Sequence, residues 1–344
     1  IKLRPGTNVA VLNMMLHFII KSKLYNVDFV RDRTEGFDNF IKEIERQDVD
    51  QLAKVAGVDK QMVKEAAIAY ATAKNSMEFH GLGVTEQEQG SKTVMLIADL
   101  AMITGNIGRK CVGVNPLRGQ NNVQGAADMG CQPHQGAGYF EVADEKNQKF
   151  YTEKYGVTHP TKPGLKIPEM FEAAIDKELK GLWIIGEDIV QTDPNSAHVV
   201  EAMNSLELLV VQEIFMSETA KLATVVLPGT TFLEKNGTFT NTERRIQRVN
   251  KAVEPLPGTK PDGVIVTDMM QKLGFDQPTY DADQVLKEIA DVVPFFKGVT
   301  RERLGKLGLQ WPVQEDGTDT QILHTETFKL GKGRLKNFDW KEST

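Results

Sequence analysis

The spacing of apolar residues divides the chain into a helical first part and a later part built from short strands. Helical spacing predicts helices over residues 9–21, 27–46, 60–73 and 92–104, with one strand at 77–80. From Gly181 onward, short apolar runs predict strands at 182–185, 208–211 and 224–227, separated by helices at 196–205 and 217–222. Such alternation is typical of an α/β fold with parallel sheets. The remainder is mixed, with a helix predicted at 282–292.

Composition narrows the class of protein. The chain has 344 residues and a net charge of -6, so nothing in its electrostatics indicates nucleic acid as a partner. Its longest apolar stretch, residues 9–20, is too short to span a bilayer, and we predict no membrane segment in this chain. The chain has only two cysteines, so a disulfide framework is excluded, and the two do not form a Cys-x-x-Cys pair. We therefore expect a cytoplasmic location, with a periplasmic one left open because the chain begins at Ile1.

Residues 115–130 are rich in side-chain amides and glycines and contain one cation, Arg118. Amides offer both donors and acceptors, and glycines let the backbone approach a ligand closely. The segment therefore suits a large flat ligand such as a pterin or a purine, while Arg118 can bind a small carboxylate through two parallel hydrogen bonds. The alternative is a surface loop with Arg118 in a weak ion pair. The histidines have no metal-ligand spacing, although His80 and His134 lie near polar segments.

Polar side chains also follow two of the predicted strands. Gly186, Glu187 and Asp188 come directly after the strand at 182–185, and Gln212 ends the next strand. Ligands of open α/β sheets bind beyond the carboxyl ends of the strands. A carboxylate there accepts hydrogen bonds from ribose hydroxyls or from the paired N–H donors of guanine, and a phosphate can bind near Thr192. The alternative is that Glu187 and Asp188 only stabilise the N-terminus of the following helix.

Several segments together resemble the molybdenum- or tungsten-dependent formate dehydrogenases of the molybdopterin oxidoreductase family. The most specific is GVNPLRGQNNVQG at 113–125. In the same order come GLGVT at 81–85, LAMITGNIG at 100–108, GED at 186–188 with QTD at 191–193, VVLP at 225–228 and GTFTNTERR at 237–245. The resemblance covers essentially the whole chain.

The resemblance implies two Rossmann-like α/β domains with parallel sheets, plus part of a smaller mixed α+β region. We place the divisions at residues 1–117, 118–235 and 236–344. It also implies a bis-molybdopterin guanine dinucleotide that holds Mo or W, and formate and CO2 as substrate and product. Arg118 corresponds to the active-site arginine that orients formate, and the chain itself supplies no metal ligand. The residues implied to contact the cofactor are Leu82, Gly83, Glu86, Gln120, Asn121, Gly186, Glu187, Asp188, Thr192 and Gln212. Among these, Glu86 stands where the family has Gln.

The family also has parts that this sequence does not contain. Its iron–sulfur domain, with a 4Fe-4S cluster, and its metal-ligating cysteine or selenocysteine are expected before Ile1, and its C-terminal barrel domain is expected after Trp340. The chain therefore resembles the central portion of a catalytic subunit whose partners are iron–sulfur or NAD-linked electron-transfer subunits.

Two alternatives to a formate dehydrogenase or CO2 reductase remain. One is a non-catalytic structural homologue in an electron-transfer complex, which would be expected to lack Arg118 and the amide-rich segment. The other is a member of the family that acts on a different oxyanion.

Overall fold

The structure is a computed structural model, described for residues 1–343. Its α-helices are α1 Asn8–Lys21, α2 Val27–Arg33, α3 Phe37–Glu45, α4 Val49–Ala56, α5 Lys60–Thr72, α6 Leu82–Thr85, α7 Gly90–Ile103, α8 Val123–Asp128, α9 Glu145–Tyr155, α10 Ile167–Ile175, α11 Ile189–Thr192, α12 Ser196–Ser205, α13 Glu218–Lys221, α14 Asp262–Lys272, α15 Ala282–Val292 and α16 Arg301–Leu304.

The strands are short. They are β1 Thr34–Glu35, β2 Met77–His80, β3 Gly113–Pro116, β4 Gln135–Gly136, β5 Phe140–Glu141, β6 Gly181–Ile185, β7 Leu208–Glu213, β8 Val225–Pro228, β9 Gly237–Thr240, β10 Arg245–Val249, β11 Leu309–Gln310 and β12 Gly333–Arg334.

Most predicted elements are confirmed, and one predicted helix is wrong. The predicted helix over residues 27–46 is broken into α2 and α3, because the chain turns at Gly36, where φ is 86°. Between the two helices, β1 pairs in parallel with β12, a partner that local spacing cannot reveal. In the amide-rich residues 115–130, where the spacing predicts no element, the structure contains α8, which begins after Asn122, a residue in the left-handed conformation.

The chain forms two compact units, one made of residues 1–120 and 320–343 and the other of residues 121–319. In the first unit, α1 contacts α3, α4, α5 and α7, and the packed faces form a core that includes Leu16, Ile19, Phe40 and Leu96. The parallel pair β2 and β3 contacts α7. Helix α7 therefore connects the strand pair to the helices of this unit.

The second unit contains two three-stranded sheets. In one, β6, β7 and β8 are parallel, in that order, and their apolar side chains pack with α10 and α12 around Ile184, Leu209 and Val211. In the other, β9, β10 and β11 are antiparallel, and a separate core forms around Ile246 and Phe296. The parallel sheet matches the predicted α/β class. The antiparallel sheet is the mixed region expected toward the end of the chain.

Strand β2 carries an acidic side chain toward the interior of the first unit. Tyr70 donates a hydrogen bond to Glu78 Oε1, while Glu78 Oε2 is buried and has no hydrogen-bond partner among the described residues. Burial disfavours the charged carboxylate and raises the pKa of Glu78 to about 8, against the opposing effect of the Tyr70 hydrogen bond. The carboxyl group is therefore held in its neutral form near neutral pH.

The core that α7 forms with the other helices of the first unit can be tested by truncation. Leu96 on α7 is fully buried, whereas its neighbour Met95 is 41% exposed. We expect Leu96→Ala to lower the free energy of unfolding of the first unit by roughly 2–5 kcal/mol, because the substitution leaves a cavity. Met95→Ala is the control and should cost less than about 0.5 kcal/mol. Urea denaturation measures both, and equal losses in the two variants would contradict the burial of Leu96 in this core.

Glu78 predicts a pH dependence of stability. The pKa of Glu78 is about 8 in the folded chain, against an ordinary value of 4.5. Between these pH values the carboxyl group is therefore protonated in the folded chain and ionised in the unfolded chain. The free energy of unfolding therefore falls as the pH rises through this window. Glu78→Gln removes this loss, so the stability of the variant relative to wild type should increase from pH 5 to pH 8.5.

Urea titrations at several pH values measure this difference. Glu65→Gln, at an exposed position of α5, is the control for the loss of one carboxylate. A constant difference between wild type and Glu78→Gln across the range would show that Glu78 is not held neutral.

Candidate functional site

In the first unit, the carboxyl ends of β2 and β3 meet at one edge of the sheet. The parallel register pairs His80 with Pro116, and the next residue, Leu117, donates its backbone N–H to His80 O at 2.7 Å. The segments that follow the strands therefore start side by side. One begins with Gly81 and the turn α6, and the other leads to Arg118.

The predicted residues of the first unit lie on the surface at this edge. Arg118, Gln120 and Glu86 are exposed, and the side chain of Leu82 is 53% exposed. Gly83 and Gly119 have no other heavy atom within 4 Å of the position a Cβ would take. A cation thus lies among exposed apolar and glycine positions, an arrangement that leaves room for a flat ligand and a small anion.

His80 is one of the two histidines, with His134, that lie near polar segments of the sequence. It ends β2 and is only 7% exposed, and its Nδ1 is buried without a hydrogen-bond partner in the described chain. Burial and, to a smaller extent, the positive charge of Arg118 lower the pKa of His80. The imidazole therefore stays neutral beside the guanidinium.

Four of the five side-chain amides of residues 115–130 divide into two groups. Asn115 Nδ2 donates to Glu78 O and Gly113 O and thereby ties β3 to β2, and Asn122 Oδ1 accepts the backbone N–H of Thr240 at 2.9 Å. These contacts are structural. Gln120 and Asn121, by contrast, are exposed.

The remaining amide, Gln124, belongs to a buried polar cluster around Asp128. The carboxylate of Asp128 accepts hydrogen bonds from Gln124 Nε2 at 2.9 Å, from the Tyr139 hydroxyl at 2.7 Å and from Trp311 Nε1 at 3.0 Å. Because Asp128 is fully buried, these donors stabilise it in place of water. Gln124 and Asp128 therefore hold α8 in the second unit rather than face a ligand.

In the second unit, the predicted residues lie at the carboxyl ends of β6 and β7. Gly186 follows β6 with φ of 65°, and its N–H donates to Gln212 O at 2.9 Å. No other heavy atom lies within 4 Å of the position a Cβ would take at Gly186. A side chain here would be strained by the backbone conformation and would fill the open space beside the sheet edge.

Asp188 already has partners within the unit. Its Oδ1 accepts the N–H of Thr219 at 3.0 Å and the Thr219 hydroxyl at 2.7 Å, and Oδ2 accepts from Gln191. Burial raises the pKa of Asp188, but these hydrogen bonds to the charged form outweigh it and lower the pKa overall. The side chain makes no capping bond to α11, the helix that follows it. Glu187 is exposed and accepts from the Thr192 hydroxyl at 2.7 Å.

Gln212 is 1% exposed and has one unsatisfied atom. Its Nε2 donates to Asp262 Oδ1 at 2.8 Å, whereas its Oε1 is buried and has no hydrogen-bond partner within residues 1–343. Asp262 is also paired with Lys235. Asp262 and Lys235 were not found by sequence reasoning, because Asp262 lies 50 positions after Gln212 and belongs to no local motif. The only signal was the position of Asp262 at the start of a helix.

Two absences apply to the described part of the chain. Residues 1–343 contain no cluster of three or more histidine, cysteine, aspartate or glutamate side chains arranged to hold a metal ion. In the same residues, no helix has the length and apolar character needed to cross a membrane.

Comparison with known proteins identifies relatives along most of the chain. F420-dependent formate dehydrogenase subunit alpha of Methanocaldococcus jannaschii is 43% identical over 337 residues, which cover 97% of this chain and 50% of that protein. Formate dehydrogenase H of Escherichia coli is 39% identical over 347 residues, which cover 99% of this chain and 48% of that protein. The chain thus spans about half the length of these curated relatives.

A solved structure shows the same fold. Acetylene hydratase from Pelobacter acetylenicus superposes with a TM-score of 0.65 and 19% identity, over 87% of this chain and 44% of that one. At this identity the likeness concerns the fold alone. The sequence model described as Molybdopterin oxidoreductase matches residues 1–272. Because this match covers most of the chain, the chain belongs to the molybdopterin oxidoreductase family.

Proposed function

We propose that the full-length protein is a formate dehydrogenase, which oxidises formate to CO2, one proton and two electrons, or runs the reverse reaction. The observation that carries the proposal is Arg118. It is an exposed cation at the sheet edge of the first unit, in a chain 39–43% identical to proteins named formate dehydrogenase. Family membership implies a molybdopterin cofactor with Mo or W.

Arg118 is proposed to bind and orient the carboxylate of formate. A guanidinium offers two parallel N–H donors that match the two oxygens of a carboxylate. A charge-assisted pair of this kind contributes roughly 1.5–3 kcal/mol. Its second effect is orientation, because a carboxylate held at both oxygens presents its C–H in one direction. When bound, the cofactor supplies the two-electron redox chemistry.

The surface residues at the first sheet edge fit one pterin. Leu82 gives an exposed apolar contact, and Gly83 leaves the backbone open to close approach. Gln120 offers an exposed amide, and Glu86 adds an acceptor where the resemblance implies Gln. We propose that these residues contact a pterin ring, whose edge carries both donors and acceptors.

The residues at the second sheet edge fit a guanosine. Gln212 Oε1 is a buried acceptor with no donor in the described chain, and guanine presents N–H donors that can satisfy it. Gly186 leaves open space beside this edge, and Glu187 and Asp188 add carboxylate oxygens. Thr192, the last residue of α11, is proposed to contact a phosphate of the cofactor. We propose that these residues hold the guanine dinucleotide form of the cofactor, with the Asp262 carboxylate fixing the Gln212 amide.

We propose the electron-transfer parts of the enzyme from the same similarity to formate dehydrogenases. A 4Fe-4S cluster and iron–sulfur or NAD-linked partner subunits would carry the electrons away from the site. The cytoplasmic location stays a prediction.

Replacement of Arg118 tests the proposed substrate contact. In the full-length enzyme, Arg118→Lys should lower kcat/KM for formate by at least about tenfold, because the ammonium cannot form two parallel hydrogen bonds. Arg109→Lys is the matched control, since Arg109 lies in the same unit and donates to Asn106 Oδ1 at 2.9 Å. Each preparation is normalised by its Mo and W content from elemental mass spectrometry.

Two outcomes would contradict the proposal. Unchanged formate kinetics in Arg118→Lys would exclude Arg118 from the substrate site. A full-length wild-type protein with no Mo or W and no formate oxidation would favour the non-catalytic homologue instead.

Calorimetry with nucleotides tests the guanosine contact. GMP should bind the protein, and Asp188→Asn should weaken it by about tenfold or more, because an amide no longer accepts both guanine N–H donors with a full charge. AMP lacks the donor pair and should not bind in this way. Asp176→Asn, at an exposed position of the same unit, should leave GMP binding unchanged.

Equal heats for GMP with wild type and Asp188→Asn would exclude Asp188 as a guanine acceptor. Its hydrogen bonds with Thr219 and Gln191 would then be its whole role.

A further inference from the structure

His80 occupies an unusual position for a histidine with no assigned role. It is the last residue of β2, opposite Pro116, and its carbonyl accepts the N–H of Leu117, the residue before Arg118. The backbone of His80 thus anchors the start of the segment that carries the cation. Its side chain is almost fully buried, whereas the preceding Phe79 is 61% exposed.

The ring of His80 keeps one nitrogen unsatisfied. Nδ1 is buried and has no hydrogen-bond partner in the part of the chain described. A buried polar atom without a partner costs stability, so a fold that only needed an aromatic ring here would be better served by Phe. The nitrogen therefore indicates a partner that is acquired when the site is filled or when Arg118 takes up its working position.

The charge environment favours a neutral ring that accepts a hydrogen bond. Burial and, to a smaller extent, the positive charge of Arg118 lower the pKa of the His80 imidazole. A neutral imidazole has one nitrogen lone pair free to accept an N–H. The guanidinium has five N–H donors, so it can donate to this ring and still present two donors to a carboxylate.

We propose that His80 is a positioning residue for Arg118, whose guanidinium donates a hydrogen bond to the His80 ring while its remaining donors bind the substrate carboxylate. The inference rests on the proposed function, because it assigns the carboxylate to formate. Holding a long, flexible side chain in place before binding reduces the entropy lost on binding. The expected signature is therefore weaker formate binding without His80, with little change in the rate of the bound complex.

The test uses the full-length, cofactor-loaded enzyme with two substitutions. His80→Phe keeps the ring and removes the acceptor, and we expect it to raise KM for formate at least about tenfold with kcat within about threefold of wild type. His80→Asn restores an acceptor close to the Nδ1 position and should keep KM within about threefold of wild type. Should His80→Phe fail to fold, His80→Leu also lacks an acceptor and carries the same expectation.

A second readout is independent of turnover. Formate that binds the folded protein raises its Tm, and the formate concentration needed for a given rise follows the Kd. This concentration should increase in His80→Phe and remain near the wild-type value in His80→Asn. His17→Phe is the matched control, because His17 lies in the same unit with its Nδ1 already 3.1 Å from Ile44 O.

The outcomes separate this inference from the proposed function. Wild-type enzyme that oxidises formate, with His80→Phe unchanged in KM and in its formate-dependent Tm, overturns the role of His80 alone. A lower Tm in the absence of formate, with KM unchanged, assigns His80 a structural role and also overturns the inference. Wild-type enzyme that neither oxidises nor binds formate overturns the proposed function, and this inference with it.

Discussion

The two sheet edges that carry the candidate residues, one in each unit, each depend on a backbone hydrogen bond just beyond the paired strands. Leu117 donates to His80 O in the first unit, and Gly186 donates to Gln212 O in the second. In each case the residue that follows one strand donates a backbone hydrogen bond to a carbonyl near the end of the neighbouring strand. The chain therefore leaves the sheet at a fixed point. Parallel pairing places both exits at the same edge, and loops that start together there can present polar groups to a common ligand.

The sequence was most informative where local chemistry and local spacing agree. The strand Met77–His80 is recognisable because it ends at glycines, and Asp188 and Gln212 are recognisable because each follows an apolar run. The partner of Gln212, Asp262, could not be predicted, because hydrogen bonds between side chains 50 positions apart leave no periodic signal. The break at Gly36 was missed for a related reason, since helical apolar spacing continues across it.

The amide-rich segment shows a second limit of sequence reasoning. An amide that ties two strands together and an amide that faces a ligand have the same donors and acceptors, so composition cannot separate Asn115 from Gln120. Asp188 raises the same ambiguity within one side chain. Its carboxylate already binds Thr219 and Gln191, which orients it, so a nucleotide must use the remaining lone pairs or replace the Gln191 contact.

The discontinuity of the first unit has a consequence for synthesis on the ribosome. The segment 320–343 supplies β12, which pairs with β1, and Trp340, whose indole donates to Gly6 O. The N-terminal helices thus emerge long before the residues that complete their core, whereas the second unit is continuous in sequence. A nascent chain can close the second unit first, while the first unit exposes part of its apolar surface until translation has passed residue 340. We therefore expect chaperones to bind mainly the N-terminal helices of the nascent chain.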